Sequence, residues 1–207
     1  FALFALAVLT LPAQPPIPPA APSIDEPLLF TTEVATISAS GRRGWACAIT
    51  GDGKTLVTCG GTGEQRGEIL VWDLAKGEVT RTIDHPVGVR SIAIMPGDKV
   101  VAAGCYDGSL RLFDLSSGEL KAVGTGHTSG VNGVAVTADG TRLVTAGLDK
   151  HVKVWLVTVM PFAGAKPIEM KPFASLEEHT SRVFCVAVTR DGKTIVSGGE
   201  DNAARLW

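Results

Sequence analysis

Residues 126–155 read GHTSGVNGVAVTADGTRLVTAGLDKHVKVW. Two short apolar runs, GVAV and RLVTAG, flank Asp139-Gly140, a pair suited to the positive φ of a tight hairpin. A polar turn holding Asp149 follows, then a third β-type run that closes on Trp155. The pattern predicts three antiparallel strands joined by short turns.

Other parts of the chain copy this unit. Asp107, Asp149 and Asp201 each have a valine 18 residues earlier (Val89, Val131, Val183). A histidine stands four residues before each valine (His85, His127, His179), and an aromatic six residues after each aspartate (Phe113, Trp155, Trp207). A more degraded copy lies upstream, where Cys47, Ile49, Asp52-Gly53, Leu56-Val57, Gly60 and Trp72-Asp73 keep the same order. A weaker apolar run before the next histidine, as in ELKAVGT, supplies a fourth strand. Four antiparallel strands in about 40–45 residues is the period of a propeller blade.

These residues resemble the WD-repeat family. Gly126-His127 matches its Gly-His pair, Trp72-Asp73 its Trp-Asp pair, and Phe113-Asp114 is a variant of the latter. The resemblance implies an all-β fold, a WD-repeat β-propeller with four blades of four-stranded antiparallel sheet, expected to be an open arc of a larger propeller of about seven blades. It also implies a structural tetrad of histidine, hydroxyl residue, aspartate and tryptophan. That tetrad maps onto His127, Thr145, Asp149 and Trp155, and again onto His179, Ser197, Asp201 and Trp207. In the second unit Ala102 and Phe113 cannot complete it. In the first, Ser40 replaces the histidine, and the aspartate position is lost in residues 61–67. Looser blades are expected there.

The units span residues 41–84, 85–126, 127–178 and 179–207, the last lacking an outer strand. The third carries an excess between Trp155 and His179, expected as an elongated outer strand or surface loop. Upstream, residues 28–40 include LLFTTEVATIS, a candidate lead-in strand that could also close a four-bladed ring. Residues 14–27 are proline-rich and read as an extended linker. Residues 1–13, FALFALAVLTLPA, are short for a membrane span and suit a signal peptide. Export to the periplasm or outside the cell follows from that reading, and a cytoplasmic location otherwise; an uncleaved anchor would instead hold the chain at a membrane.

The chain has 207 residues and a formal net charge of −2, so it carries no electrostatic footprint for nucleic acid. No nucleophile elbow, phosphate loop, paired-carboxylate or His-Glu-x-x-His motif occurs. Three of the four histidines repeat at one offset per unit, which spaces them around a ring instead of gathering them on a metal. Asp52, Asp139 and Asp191 read as hairpin residues. Cys47, Cys59, Cys105 and Cys185 read as small hydrophobes, with Cys47 and Cys59 the pair best placed for a disulfide.

The expected function is therefore a non-catalytic scaffold for a protein or peptide partner, with no cofactor and no metal. The alternative is an accessory domain of a larger enzyme whose catalytic part lies outside this chain. By the family resemblance, contacts cluster on positions flanking the first-strand valine and preceding the repeat aspartate. These are Arg43, Trp45, Arg90, Tyr106, Asn132, Leu148, Arg182, Phe184 and Glu200. Trp, Tyr and Arg among them are the residues that most often anchor interfaces.

Overall fold

The computed structural model describes residues 44–159 and 168–207. The segments at 1–13, 14–27 and 28–40, together with Arg43, lie outside these residues. The first sheet contains β1 (Gly44–Ile49), β2 (Thr55–Gly61), β3 (Gly67–Asp73) and β4 (Glu78–His85). The second contains β5 (Val89–Ile94), β6 (Val100–Cys105), β7 (Leu110–Asp114) and β8 (Leu120–Gly124). The third contains β9 (Val131–Val136), β10 (Arg142–Gly147), β11 (Val152–Val159) and β12 (Ile168–Leu176). The fourth has β13 (Val183–Val188), β14 (Ile195–Gly199) and β15 (Ala204–Leu206). All pairings are antiparallel between consecutive strands.

The hairpins form because their turns satisfy themselves. Thr50 donates to Asp52 at 2.7 Å, Thr137 to Asp139 at 2.6 Å and Thr189 to Asp191 at 2.6 Å. Each aspartate also accepts the amide two residues on, from Lys54, Thr141 and Lys193. The following glycines, Gly53, Gly140 and Gly192, take φ of 69°, 70° and 68°, which a side chain would resist. Asp98 departs from this pattern. Its carboxylate accepts Gly51 N of the first sheet with both oxygens at 3.0 Å, tying the two hairpins together.

Each inner sheet buries both faces, so its strands read as near-continuous apolar runs. Along β6, Val101, Ala103 and Cys105 pack toward the first sheet with Val57, Ile69 and Val71, while Ala102 faces the third. Along β10, Leu143 joins Leu110, Leu112, Trp155 and Val157, and the alternate residues Val144 and Ala146 face the fourth sheet with Val183. The first strands of successive sheets pack on one another, which is the stacking of propeller blades around an axis. No sizeable packing joins the fourth sheet to the first among the described residues, so the four blades form an open arc. With one neighbour only among the described residues, the fourth sheet leaves Val196 exposed and Leu206 73 % exposed.

The excess in the third unit lengthens β11 and β12, which pair from Val152↔Leu176 to Val159↔Ile168. Pro172 sits opposite Trp155 on the outermost strand, where its missing N–H costs no ladder bond toward a further neighbour. Cys47 and Cys59 do not pair. Cys47 lies across from Thr58 and Cys59 across from Ala46, so the two side chains leave opposite faces of the sheet. All four cysteines are free, and burial pushes the Cys59 and Cys105 thiols up to about 12.

Candidate functional site

The tetrad residues form two buried hydrogen-bond relays. In the third blade Trp155 Nε1 donates to Thr145 Oγ1 at 2.9 Å, and Thr145 Oγ1 lies 2.7 Å from His127 Nε2. His127 Nδ1 meets Asp149 at 2.8 Å and 3.0 Å. A carboxylate only accepts, so the proton sits on Nδ1, and Nε2 then accepts from the threonine. The fourth blade repeats the relay through Trp207, Ser197, His179 and Asp201 at 2.8–3.0 Å. Burial works to raise the Asp149 carboxyl, but the His127 hydrogen bond and the Thr128 amide outweigh it and hold the group at about 2.

Asp149 therefore links stability to pH. Its folded pKa lies below the unfolded value near 3.9, so its contribution is complete above about pH 4 and drains away as pH falls toward 2. The expected loss over that window is about 2 kcal/mol. Urea midpoints measured down the acid limb should show it, with Asp149→Asn flattening the limb. An unchanged slope in that variant would contradict the assignment.

The second blade shows why its tetrad fails. Ala102 and Phe113 remove the hydroxyl and the indole, as the sequence indicates, and a third difference acts on the His–Asp contact. Gly147 and Gly199 stand two residues before Asp149 and Asp201, and Cys105 holds the equivalent place before Asp107. A Cβ on Gly147 would collide with both Asp149 Oδ1 and His127 Nδ1. Where the cysteine fills that slot, its Sγ lies 3.7 Å from His85 Nε2, and the ring turns Nδ1–H to the Val87 carbonyl at 2.6 Å. Arg111 bridges instead, reaching His85 Nε2 at 2.7 Å and Asp107 at 2.8 Å.

Arg205 similarly reaches Asp201 at 2.7 Å, while Lys153 goes to Ser175 Oγ at 3.4 Å. These basic residues share one offset, four after the aspartate, a signal that was present in the repeat. In the first blade the half-relay from Trp72 Nε1 to Thr58 Oγ1, at 2.9 Å, survives. Burial does not follow tetrad completeness. The second blade, flanked on both sides, is among the most buried, and the three-stranded fourth, whose tetrad is complete, is more exposed.

The relays serve the scaffold. The candidate contact residues sit elsewhere, and their positions share a cause. Each first strand carries a bulge against the second at the same point: Val89↔Cys105 is followed by Ser91↔Gly104, so Arg90 is left unpaired. Trp45, Asn132 and Phe184 are the skipped residues of β1, β9 and β13. A bulge re-aims the side chain it frees. Here it turns four side chains to the face bearing the β2–β3 and β6–β7 turns and their equivalents.

Three of these residues meet. Arg90 Nη1 donates to Asn132 Oδ1 at 2.5 Å. The Arg90 guanidinium lies over the Trp45 ring at 5.1 Å and over the Tyr106 ring at 4.8 Å, within cation–π range. Trp45 Nε1 donates to Gly61 O at 3.2 Å, and the ring stays 45 % exposed. Arg90 Nε is buried without an acceptor, a loss of about 1–3 kcal/mol for a donor left unpaired.

The 61–67 insertion supports this cluster. Gly88 N donates to Gly63 O at 2.6 Å, Tyr106 N to Gly88 O at 2.9 Å, and Tyr106 passes beside Gly63. Gly67 lies too close to Val87 O and Gly88 to carry any side chain.

The remaining candidates stand apart from the cluster. Leu148 is half-buried against Gly130, with its amide bonded to Gly130 O at 2.8 Å. Arg182 and Glu200 form an exposed pair at 4.0 Å, and Ser181 donates to Glu200 at 2.7 Å. Phe184 is exposed and, among the described residues, has no ring or cation partner. Among the described residues no group of three or more His, Cys, Asp or Glu could hold a metal ion, and no helix is long and apolar enough to cross a membrane.

The profile of the WD domain, G-beta repeat, matches residues 77–114, 118–155 and 170–207, together more than half of the chain. Autophagy-related protein 16 of Arabidopsis thaliana is 28 % identical over 139 residues, covering 67 % of this chain and 26 % of the relative. The structure of U3-55K superposes with a TM-score of 0.69 at 20 % identity, over 83 % of this chain and 50 % of that one. The crystal structure of the RRP9 WD40 repeats gives the same TM-score and identity, over 83 % and 49 %. The chain thus spans about a quarter of that curated relative and about half of each solved structure. Fold, relays and profile agree: the chain belongs to the WD-repeat family.

Proposed function

We propose that this chain is a non-catalytic scaffold that binds a protein or peptide through the face where Trp45, Arg90, Tyr106 and Asn132 converge. The observation that carries this reading is the convergence itself. Side chains from three blades, freed by one recurring bulge, form a continuous aromatic and cationic patch. Aromatic and arginine anchors of this kind dominate interface energetics. Proteins of the WD-repeat family typically serve as interaction scaffolds, which supports the same reading. The polar groups nearest to chemistry are engaged within the scaffold, His127, Asp149, His179 and Asp201 in the relays and His85 and Asp107 through Arg111. The accessory-domain alternative gains no observation from this fold.

Export goes with this proposal and rests on the apolar run at residues 1–13 alone. N-terminal sequencing of the mature protein tests it.

The binding face is tested by partner capture with the full-length protein. Trp45→Ala with Tyr106→Ala should weaken recovery of the partner at least about tenfold, roughly 1.4 kcal/mol. Val79→Ser, an exposed change on the outer strand β4, should leave it intact. Equal recovery from both variants would remove the face from consideration.

A further inference from the structure

Three arginines near the repeat aspartates or on the same loops have a carboxylate partner within the chain: Arg111 has Asp107, Arg205 has Asp201 and Arg182 has Glu200. Among the described residues Arg90 has none; Asn132 is its one hydrogen-bond acceptor there, and Nε has no acceptor. The guanidinium carbon lies 5.1 Å from the Trp45 ring centroid and 4.8 Å from that of Tyr106. The donors left over are in-plane N–H groups along its edge, held in a fixed orientation before any partner arrives. Fixing such a long side chain in advance removes much of the ordering cost that binding would otherwise carry.

From this geometry we infer that Arg90 is a receptor for the carboxylate of an Asp or Glu side chain on a partner peptide. The inference rests on the binding face proposed above and specifies its chemistry. A carboxylate is planar and can lie in the plane of the guanidinium, pairing with two N–H groups at once. A tetrahedral phosphate carries oxygens out of that plane and so matches the planar fork less closely. Nε is buried, so a partner reaches it by moving a neighbour, and the Trp45 ring beside the guanidinium can move. That ring is half-exposed and held by a single hydrogen bond to Gly61 O. The displaced indole then covers the apolar part of the acidic side chain, and Asn132 keeps the guanidinium from rotating away.

The test is to pan a random-peptide display library on the full-length protein and measure the recovered peptides by fluorescence anisotropy. The expected result is enrichment of Asp or Glu at one position. Changing that residue to Asn or Gln should weaken binding about tenfold or more. Arg90→Lys should weaken it by a similar factor, because charge is kept and the planar fork is lost. Asn132→Ala, which leaves the arginine in place, should weaken it by a smaller factor and guards against misfolding of the Arg90 variant. Acetate should compete at high concentration more effectively than inorganic phosphate.

Peptides that depend on Trp45 and Tyr106 but tolerate the acid-to-amide change would overturn this inference and leave the binding face standing. Stronger competition by phosphate would overturn the carboxylate assignment. Recovery of no peptide at all would count against both.

Discussion

Trp155→Ala is expected to lower folding stability by about 3–5 kcal/mol, the range for truncating a buried large aromatic. The ring is fully buried between the second and third sheets with Leu110, Leu112 and Leu143. It rests on the backbone of Gly124 and Gly126, where an added Cβ would stand 3.0 Å and 3.1 Å from ring carbons. Alanine would leave a cavity at that seam, and rigid neighbouring strands cannot collapse to fill it. It would also strip Thr145 Oγ1 of the donor that fixes its orientation toward His127. Trp155→Phe separates the two losses. It keeps most of the volume, as Phe113 does in the second blade, and should cost only about 1–2 kcal/mol for the hydrogen bond. Urea unfolding with unchanged slope would measure both. Equal destabilisation by the two variants would mean that the relay, and not packing, carries the effect.

Gly147→Ala should cost about 3 kcal/mol although it adds one methyl group to a strand. That position has no room: the new carbon would press on the Asp149 carboxylate and the His127 ring together. Overpacking alone costs about 1–3 kcal/mol. Prising the histidine from its carboxylate adds to that, because both groups are buried, Asp149 with a side chain only 4 % exposed. Gly44→Ala, where among the described residues no atom beyond the chain neighbours lies within 4 Å of the added carbon, should stay within about 0.5 kcal/mol of wild type. Calorimetric melting of the pair distinguishes a steric effect from general glycine loss. A Gly147 variant as stable as the Gly44 variant would refute the role assigned to this slot. Gly199 has slightly more space, 2.9–3.0 Å to its neighbours, so the same change there should be milder.

Much of this fold was legible because a propeller writes its contacts locally. Alternating apolar residues, Asp-Gly turns and an aromatic at a constant offset each act within a few residues of their own position. The relays of the third and fourth blades were readable for the same reason, since His127, Thr145, Asp149 and Trp155 recur as His179, Ser197, Asp201 and Trp207. The failure of the second relay was only half-legible. Ala102 and Phe113 announced it, but the part played by Cys105 depends on how close the His–Asp pair comes to the strand backbone, a distance that spacing does not encode. Burial, in contrast, could not be read from the tetrads. Burial of a blade is set by whether neighbours cover both its faces.

The candidate site divides along the same line. The sequence by itself determined the repeat, the hairpins, the hydrogen-bonded scaffold and the positions available for contact, because each depends on residue type and short-range periodicity. It could not rank those positions. Trp45, Arg90 and Asn132 are equivalent members of successive blades, more than 40 residues apart in turn. Only the tertiary structure, by bulging each first strand at one point and setting the blades side by side, decided that they touch. It also decided that Arg90 should end, among the described residues, without a carboxylate partner.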